Sequence, residues 1–224
     1  MAATPTPIAV TRPRQSHGSG GRLVRKHGER ALDRVNTREA LIRCGIELLT
    51  EQGFRTTSIE EVLTRVGVPK GSFYHFFKSK DDFGTAVIQS YVDYYTKKMG
   101  GIFRNPSHTP LERLRNFIDI SKEGMVRFRF RRGCLVGNMG QELANVSDTF
   151  RTQLEAVLQS WEDMLTECLE SAIRAGEISS ASDPRALSRF FWLGWEGAIL
   201  RSKLRRSPEP IDHFCDMFFA RVAV

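Results

Sequence analysis

The sequence predicts an all-α protein in which a small N-terminal helical domain precedes a larger helical one. Three observations carry this expectation. Apolar residues recur at helical rather than strand spacing, as in Leu111, Leu114, Phe117 and Ile118 or Leu154, Val157, Leu158 and Trp161. Helix-start signals stand in front of such stripes, most completely at Thr109-Pro110-Leu111-Glu112, with a cap, a proline at the first position and a carboxylate at the third. Glycines or turn clusters follow them, at Gly53, Gly67, Gly100-Gly101 and Gly176. With 224 residues, 41% of them apolar, the chain holds enough material for a sizeable core in one or two domains.

Residues 1–36 read as a flexible basic arm, rich in Pro, Gly, Ser and Thr and without a helical stripe before about Gly28. Seven basic residues face two acidic ones there, which accounts for five of the chain's net seven positive charges. Such an arm either adds salt-sensitive contacts to phosphates or a minor groove, or serves as a solubilising tail; both readings stand. Asn36, with Glu39 three residues on, predicts the start of the first helix. Leu41, Ile42, Gly45, Leu48 and Leu49 form its buried stripe, Cys44 packs within it, and Gly53 ends it.

From Thr56 to Asp82 the chain carries two short helical signals head to tail. Ser58 and Glu61 predict a helix start, Ile59, Val62, Leu63 and Val66 an apolar face, Gly67 a stop and Pro69 a restart. Helix, glycine turn, helix is the arrangement of a helix-turn-helix DNA reader, so residues 37–82 are assigned as a DNA-binding domain. Lys70, Ser72, Tyr74 and His75 on the second helix are donors suited to phosphates or base edges. Gly71, a poor helix former, suggests close approach by another surface. Ser79 through Asp82 is a further cap, placing Lys80 at a helix N-terminus where a phosphate is also favoured. On spacing alone, a small helical domain with a polar face fits the same pattern.

Gly53-Phe54 and the run TTSIEEVLTRVGVPKGSFYHFFKSKDDF resemble the N-terminal domain of the TetR family of bacterial repressors. The resemblance implies a homodimer with recognition helices in successive major grooves of a double-stranded operator and a small-molecule effector that releases it. It also implies Thr56, Thr57, Ser58, Lys70, Gly71, Ser72, Tyr74, His75 and Lys80 as the DNA-binding set.

Residues 83–224 are assigned as a ligand-binding and dimerisation domain. A linking helix over about 79–98 carries Phe83, Ala86, Val87, Tyr91 and Tyr94, and Gly100-Gly101 is expected to break it. The helix begun at Thr109 ends at Arg127, Arg129, Arg131 and Arg132. In GCLVGNMGQELAN, Gly133, Gly137 and Gly140 lie at helical spacing and would leave one face bare for a neighbouring helix or a ligand. Cys134 and Asn138 flank that face, and tight helix packing around a buried cysteine is the other reading of the stretch. Helices over 148–176 and from Asp183-Pro184 to about Arg205 carry more apolar surface than a small monomer hides, which suggests a four-helix dimer interface. A last short helix starts near Pro210.

G-C-L-V-G-N with Gln141-Glu142-Leu143, then W-L-G-W-E-G-A and S-K-L-R-R-S-P-E-P, resemble a TetR-type subgroup that responds to electrophiles or small unsaturated metabolites such as acrylate. That resemblance makes Cys134 the sensing cysteine and brings in Lys203. With Tyr91, Asn138, Trp192 and Trp195 these form the expected effector-binding set. A reactive cysteine needs thiolate character, for which Arg131, Arg132 and Lys203 are the candidate charges. The alternatives are a thiol sensor acting through Cys134 without a dedicated acid pocket, and a non-specific DNA-binding protein.

Cys134, His108 and Glu196 form no nucleophile–base–oxyanion pattern, so no enzyme is expected. The four cysteines, Cys44, Cys134, Cys168 and Cys215, contain no C-x-x-C pair, so no metal, cofactor or disulfide framework is expected. No apolar run approaches the roughly 20 residues of a membrane span, and no secretory signal is recognisable; a cytoplasmic, reduced protein is the expectation.

Overall fold

The computed structural model describes residues 27–222, with side chains from Asn36 onward. Among the described residues the chain is built from nine helices. The reader consists of α1 (His27–Gln52), α2 (Ile59–Val66) and α3 (Lys70–Phe76), and α4 (Lys80–Phe103) runs from it into the second domain. There it packs against α5 (Pro110–Arg127), α6 (Leu135–Leu143) and α7 (Asp148–Arg174), while α8 (Pro184–Arg205) packs on α7 and α9 (Glu209–Val222) on α8.

The local stop and start signals act as their chemistry requires. Ser58 Oγ accepts the Glu61 amide at 3.1 Å, and Gly67 closes α2 at φ 75°, a left-handed conformation where its amide reaches the Leu63 carbonyl at 2.8 Å. The Glu61 carboxylate turns to Gln52 and Arg65 instead of back to the cap, so Ser58 forms a single cap. At Thr109 both halves of the capping box are present, the Glu112 carboxylate accepting the Thr109 amide at 2.8 Å. Ser79, Ser147 and Asp183 cap α4, α7 and α8.

Four boundaries differ from expectation. First, α1 begins at His27, so Asn36 lies inside it and the last ten residues of the assigned arm are helical. Glu29, Arg30, Ala31, Leu32 and Arg34 are good helix formers that carry the helix upstream of Asn36. The rest of the arm, residues 1–26, lies outside the described residues. Second, Pro69 is the N-cap of α3, not its first residue. Third, α4 passes through Gly100-Gly101 to Phe103. Burying Met99 and Phe103 contributes about 1.5–3 kcal/mol each, more than the roughly 1 kcal/mol per helical glycine. Fourth, Gly133 precedes α6, of which Cys134 is the N-cap, so only Gly137 and Gly140 share a helix.

Phe73, Phe77 and Phe83, each at most 2% exposed, form the junction of α3 and α4, with ring centroids 5.1–5.3 Å apart. An aromatic core in the second domain joins Phe117, Trp161, Phe191, Trp192 and Trp195. The apolar stripe of α7 is buried within the chain. The exposed one lies on α8, at Phe190, Leu193, Leu200 and Leu204, with Met217 on α9. The expected α7–α8 excess is therefore an α8–α9 excess. No helix among the described residues is long and apolar enough to cross a membrane.

Candidate DNA-reading face and effector cavity

Helix α3 divides its side chains cleanly. Phe73 points into the phenylalanine cluster, while Lys70, Tyr74 and His75 are exposed, and Ser72 is half-buried. The N-terminal side of α2 adds exposed Thr56 and Ser58, although the Ser58 hydroxyl already caps the helix. Thr57 is buried and donates to the Gly53 carbonyl at 2.7 Å, so it braces the α1–α2 corner. Lys80 donates to the Arg55 carbonyl at 3.3 Å and lies 4.7 Å over the Phe54 ring; burial lowers its pKa. Lys80 is thus engaged inside the chain, unlike Lys70.

Gly71 meets nothing within 4 Å of where a side chain would start, so no contact inside this chain explains it. Replacing it with alanine is expected to stabilise the fold by about 0.5–1 kcal/mol while weakening operator binding. Melting curves and DNA titration of Gly71→Ala check both signs. Unchanged operator affinity would remove the glycine from the DNA-facing surface.

A cavity of about 530 Å³ opens between α1, α4, α5, α7 and α8 and the segment leading into α6. Tyr91, Cys134, Trp192 and Trp195 of the expected effector set line it. Asn138 and Lys203 do not. Asn138 Nδ2 donates to the Leu49 and Thr50 carbonyls at 3.3 and 3.1 Å, and Lys203 Nζ to those of Thr50 and Glu51 at 3.3 and 3.1 Å. The last carbonyls of a helix lack internal partners, and α1 has no basic residue in its final turn, so these two side chains satisfy them.

The surroundings of Cys134 reverse the expected electrostatics. Arg131 and Arg132 pair with Glu51, at 4.0 and 3.1 Å, and Lys203 holds carbonyls. Burial, followed by the charge of the Glu196 carboxyl, pushes the thiol's pKa well above the ordinary cysteine value. The thiol is therefore protonated at neutral pH. Burial likewise raises Glu196, while the neighbouring Cys134 thiol opposes the shift. Glu196 Oε1 is closed off from solvent without a hydrogen-bond partner among the described residues, as are the indole nitrogens of Trp161 and Trp192.

Glu196 also lines the cavity and was absent from the expected effector set. It stands four residues after Trp192 and next to Trp195, a carboxylate on a cavity-facing apolar stripe, and that was the available signal. Because its native pKa lies above the usual glutamate value of 4.5, the folded state keeps this proton longer than the unfolded chain does. Stability is thus expected to decline as pH rises through the window that opens near 4.5, and Glu196→Gln to flatten that decline in pH-dependent melting.

Two family models match the chain: residues 41–87 match the bacterial regulatory proteins of the tetR family, and residues 110–218 the tetracyclin repressor-like C-terminal domain. Transcriptional regulator AcuR of Cereibacter sphaeroides is 42% identical over 97% of this chain and 95% of its own length. The chain belongs to the TetR family of transcriptional regulators. The repressor DhaR of a Mycobacterium species is 31% identical over 83% of this chain and 92% of its own. A crystal structure of the regulatory protein TetR from Rhodobacter sphaeroides superposes with a TM-score of 0.81 at 44% identity, covering 84% of this chain and 99% of that one. As a TetR-family member the chain is a DNA-binding transcription regulator with a helix-turn-helix reader, and it is not an enzyme.

In this TetR-family chain, reader and cavity meet along α6. Cys134 at its start lines the cavity, and the preceding Gly133 amide donates to the Thr50 carbonyl at 3.2 Å. One turn on, Asn138 holds Leu49 and Thr50. A further turn on, the Glu142 carboxylate accepts the amides of Phe54 and Arg55 at 3.1 and 2.7 Å. A short helix thus touches the cavity at one end and grips the α1–α2 corner along its length.

Proposed function

We propose that this regulator is a repressor that binds a palindromic operator as a homodimer and is released when a small effector fills the cavity beside Cys134. The observation that carries the reading is α6 itself, whose N-cap residue Cys134 lines the cavity and whose Asn138 and Glu142 hold the reader. A ligand that displaces the start of α6 pulls on the corner that sets α3. In a dimer whose recognition helices sit about 34–36 Å apart, such a shift spoils simultaneous docking in successive major grooves. A coupling of ~1–3 kcal/mol lowers operator affinity about 5–150-fold.

The exposed stripe of α8 and α9 supports a homodimer, since Phe190, Leu193, Leu200, Leu204 and Met217 form a patch that a second copy would bury. The resemblance in the second domain supports an acrylate-like unsaturated acid or an electrophile as effector, in a cytoplasmic protein. A buried, protonated Cys134 beside a real cavity favours ligand binding over a thiol sensor without a pocket.

Titrating labelled duplex from the flanking DNA at about 0.15 M salt tests the reading, because non-specific contacts fade steeply there. One palindrome should be preferred over scrambled duplex, and acrylate or N-ethylmaleimide should release it. Release of wild type but not Cys134→Ser by both compounds assigns the thiol as sensor; acrylate release of both proteins assigns reversible binding. Equal affinity for every duplex would contradict the regulator reading.

A further inference from the structure

The cavity beside Cys134 is lined by three cations, Lys98, Arg127 and Arg132, and two acids, Glu123 and Glu196. Glu123 is exposed, and burial drives Glu196 towards its neutral form, so the space as a whole favours an anion. Phe117, Trp161, Trp192 and Trp195 supply an aromatic wall for the apolar body of such a ligand.

Arg132 differs from the other two cations in what it already holds. Its Nε donates to Glu51 at 3.1 Å, its Nη2 lies 3.5 Å from Glu47, and the guanidinium stacks 4.0 Å over the Phe128 ring. Both carboxylates belong to the last two turns of α1, so a residue of the cavity wall clamps the reader. The clamp is open to exchange. The Arg132 side chain stays 22% exposed, and among the described residues only its Nε makes a hydrogen bond. A guanidinium is a planar fork that takes a carboxylate through two parallel bonds, an arrangement neither glutamate uses here.

The turn that carries Arg132 is also held rather than relaxed. Arg129 and Phe130 stand one after the other in the left-handed region, at φ 52° and 56°. That conformation costs a non-glycine residue energy and persists only where the surroundings impose it. Burial of Phe130 and the stack of Arg132 on Phe128 are two of the contacts that do so. Arg132 stands two residues before Cys134, the N-cap of α6, so release of the clamp frees the segment that leads into that helix.

We propose that Arg132 is the anion site of the cavity: the carboxylate of an amphipathic organic acid takes the guanidinium from Glu51 and Glu47 and so unfastens the end of α1 from the turn before α6. This rests on the reading of the cavity as the effector site, and names the side chain that recognises the acid and the link that recognition breaks.

The test uses 3-phenylpropanoate and 3-phenylpropanamide, matched in shape and, being saturated beside the carbonyl, unable to add to Cys134. Calorimetric titration of the full-length protein at about pH 7.5 should show the acid binding about tenfold tighter, the scale of one charge-assisted hydrogen bond. Arg132→Gln should abolish that preference, and Arg132→Lys, which keeps the charge without the fork, should restore part of it. Glu51→Gln removes the competing carboxylate and should tighten the acid several-fold while leaving the amide unchanged. Both Arg132→Gln and Glu51→Gln should weaken operator binding in the absence of ligand, because each breaks the same link. A clamp that only supports the fold would not move acid affinity in opposite directions in the two variants. Failure of the acid to bind wild type, a preference that survives Arg132→Gln, or acid affinity in Glu51→Gln no tighter than in wild type each overturns the proposal. Operator titration on the same samples separates this proposal from the effector reading. Acrylate-driven release without an Arg132-dependent acid preference keeps the regulator and discards this site, whereas the preference without any ligand-driven release keeps the site and discards the effector reading.

Discussion

Phe73→Ala is expected to destabilise the reader by about 3–5 kcal/mol, whereas Tyr74→Ala, one residue along, should leave the fold nearly intact and weaken operator binding about tenfold. Phe73 is fully buried and its ring centroid lies 5.3 Å from those of both Phe77 and Phe83, so truncation opens a cavity where α3 meets α4. Tyr74 is 50% exposed and touches the cluster only edge-on through Phe73, at 5.4 Å. Losing that contact costs about 0.5–1.5 kcal/mol, but losing its hydroxyl removes a donor from the face assigned to DNA. Thermal melts followed by circular dichroism and anisotropy titrations of operator separate the two variants. Comparable melting losses would mean that α3 is rotated relative to the assigned face.

Glu142→Ala is expected to disconnect effector from operator. The carboxylate holds two amides of the α1–α2 corner, and Gly53, at φ 88°, leaves the room it occupies, since a side chain there would overlap Glu142 Oε1. Hydrogen bonds to charged groups contribute about 1.5–3 kcal/mol when shielded; the partly exposed Glu142 lies at or below the lower end, because water replaces it. The functional effect is larger than the stability effect. The ratio of operator affinities without and with effector, about 5–150 in wild type, should fall towards 1. Glu142→Gln, which keeps the shape and one acceptor oxygen, should retain part of the ratio. A wild-type ratio in Glu142→Ala would move the coupling to another element, with α4 the first candidate.

How far these sites were legible from sequence follows from the range of the interactions involved. Ser58, Gly67, Ser79, Thr109 with Glu112, and Asp183 act on their own neighbours within four residues, and their helix boundaries came out as the spacing predicts. The exposed positions of α3 were equally readable, because Phe73 and Phe77 mark its buried side. What failed depended on partners distant in the chain. Gly100-Gly101 breaks nothing because Met99 and Phe103 are buried on either side of it. Asn138 and Lys203 carry suitable donors but face the orphan carbonyls of α1, whose need arises from the absence of a basic residue in its own last turn. Thr57 and Lys80 are drawn into the same corner. The charge around Cys134 had the wrong sign because Arg131 and Arg132 pair with the distant carboxylates of Glu47 and Glu51 on α1, while Glu196 arrives from α8.

The central claim is that effector binding reaches DNA through α6, and amide hydrogen exchange at Phe54 and Arg55 measures it most directly. Both amides are held by Glu142 when the reader is gripped. With an effector that releases the operator, their exchange should speed up in wild type and already be fast in Glu142→Ala, while amides within α7 stay protected. An effector that releases the operator yet leaves Phe54 and Arg55 exchange unchanged would contradict the account.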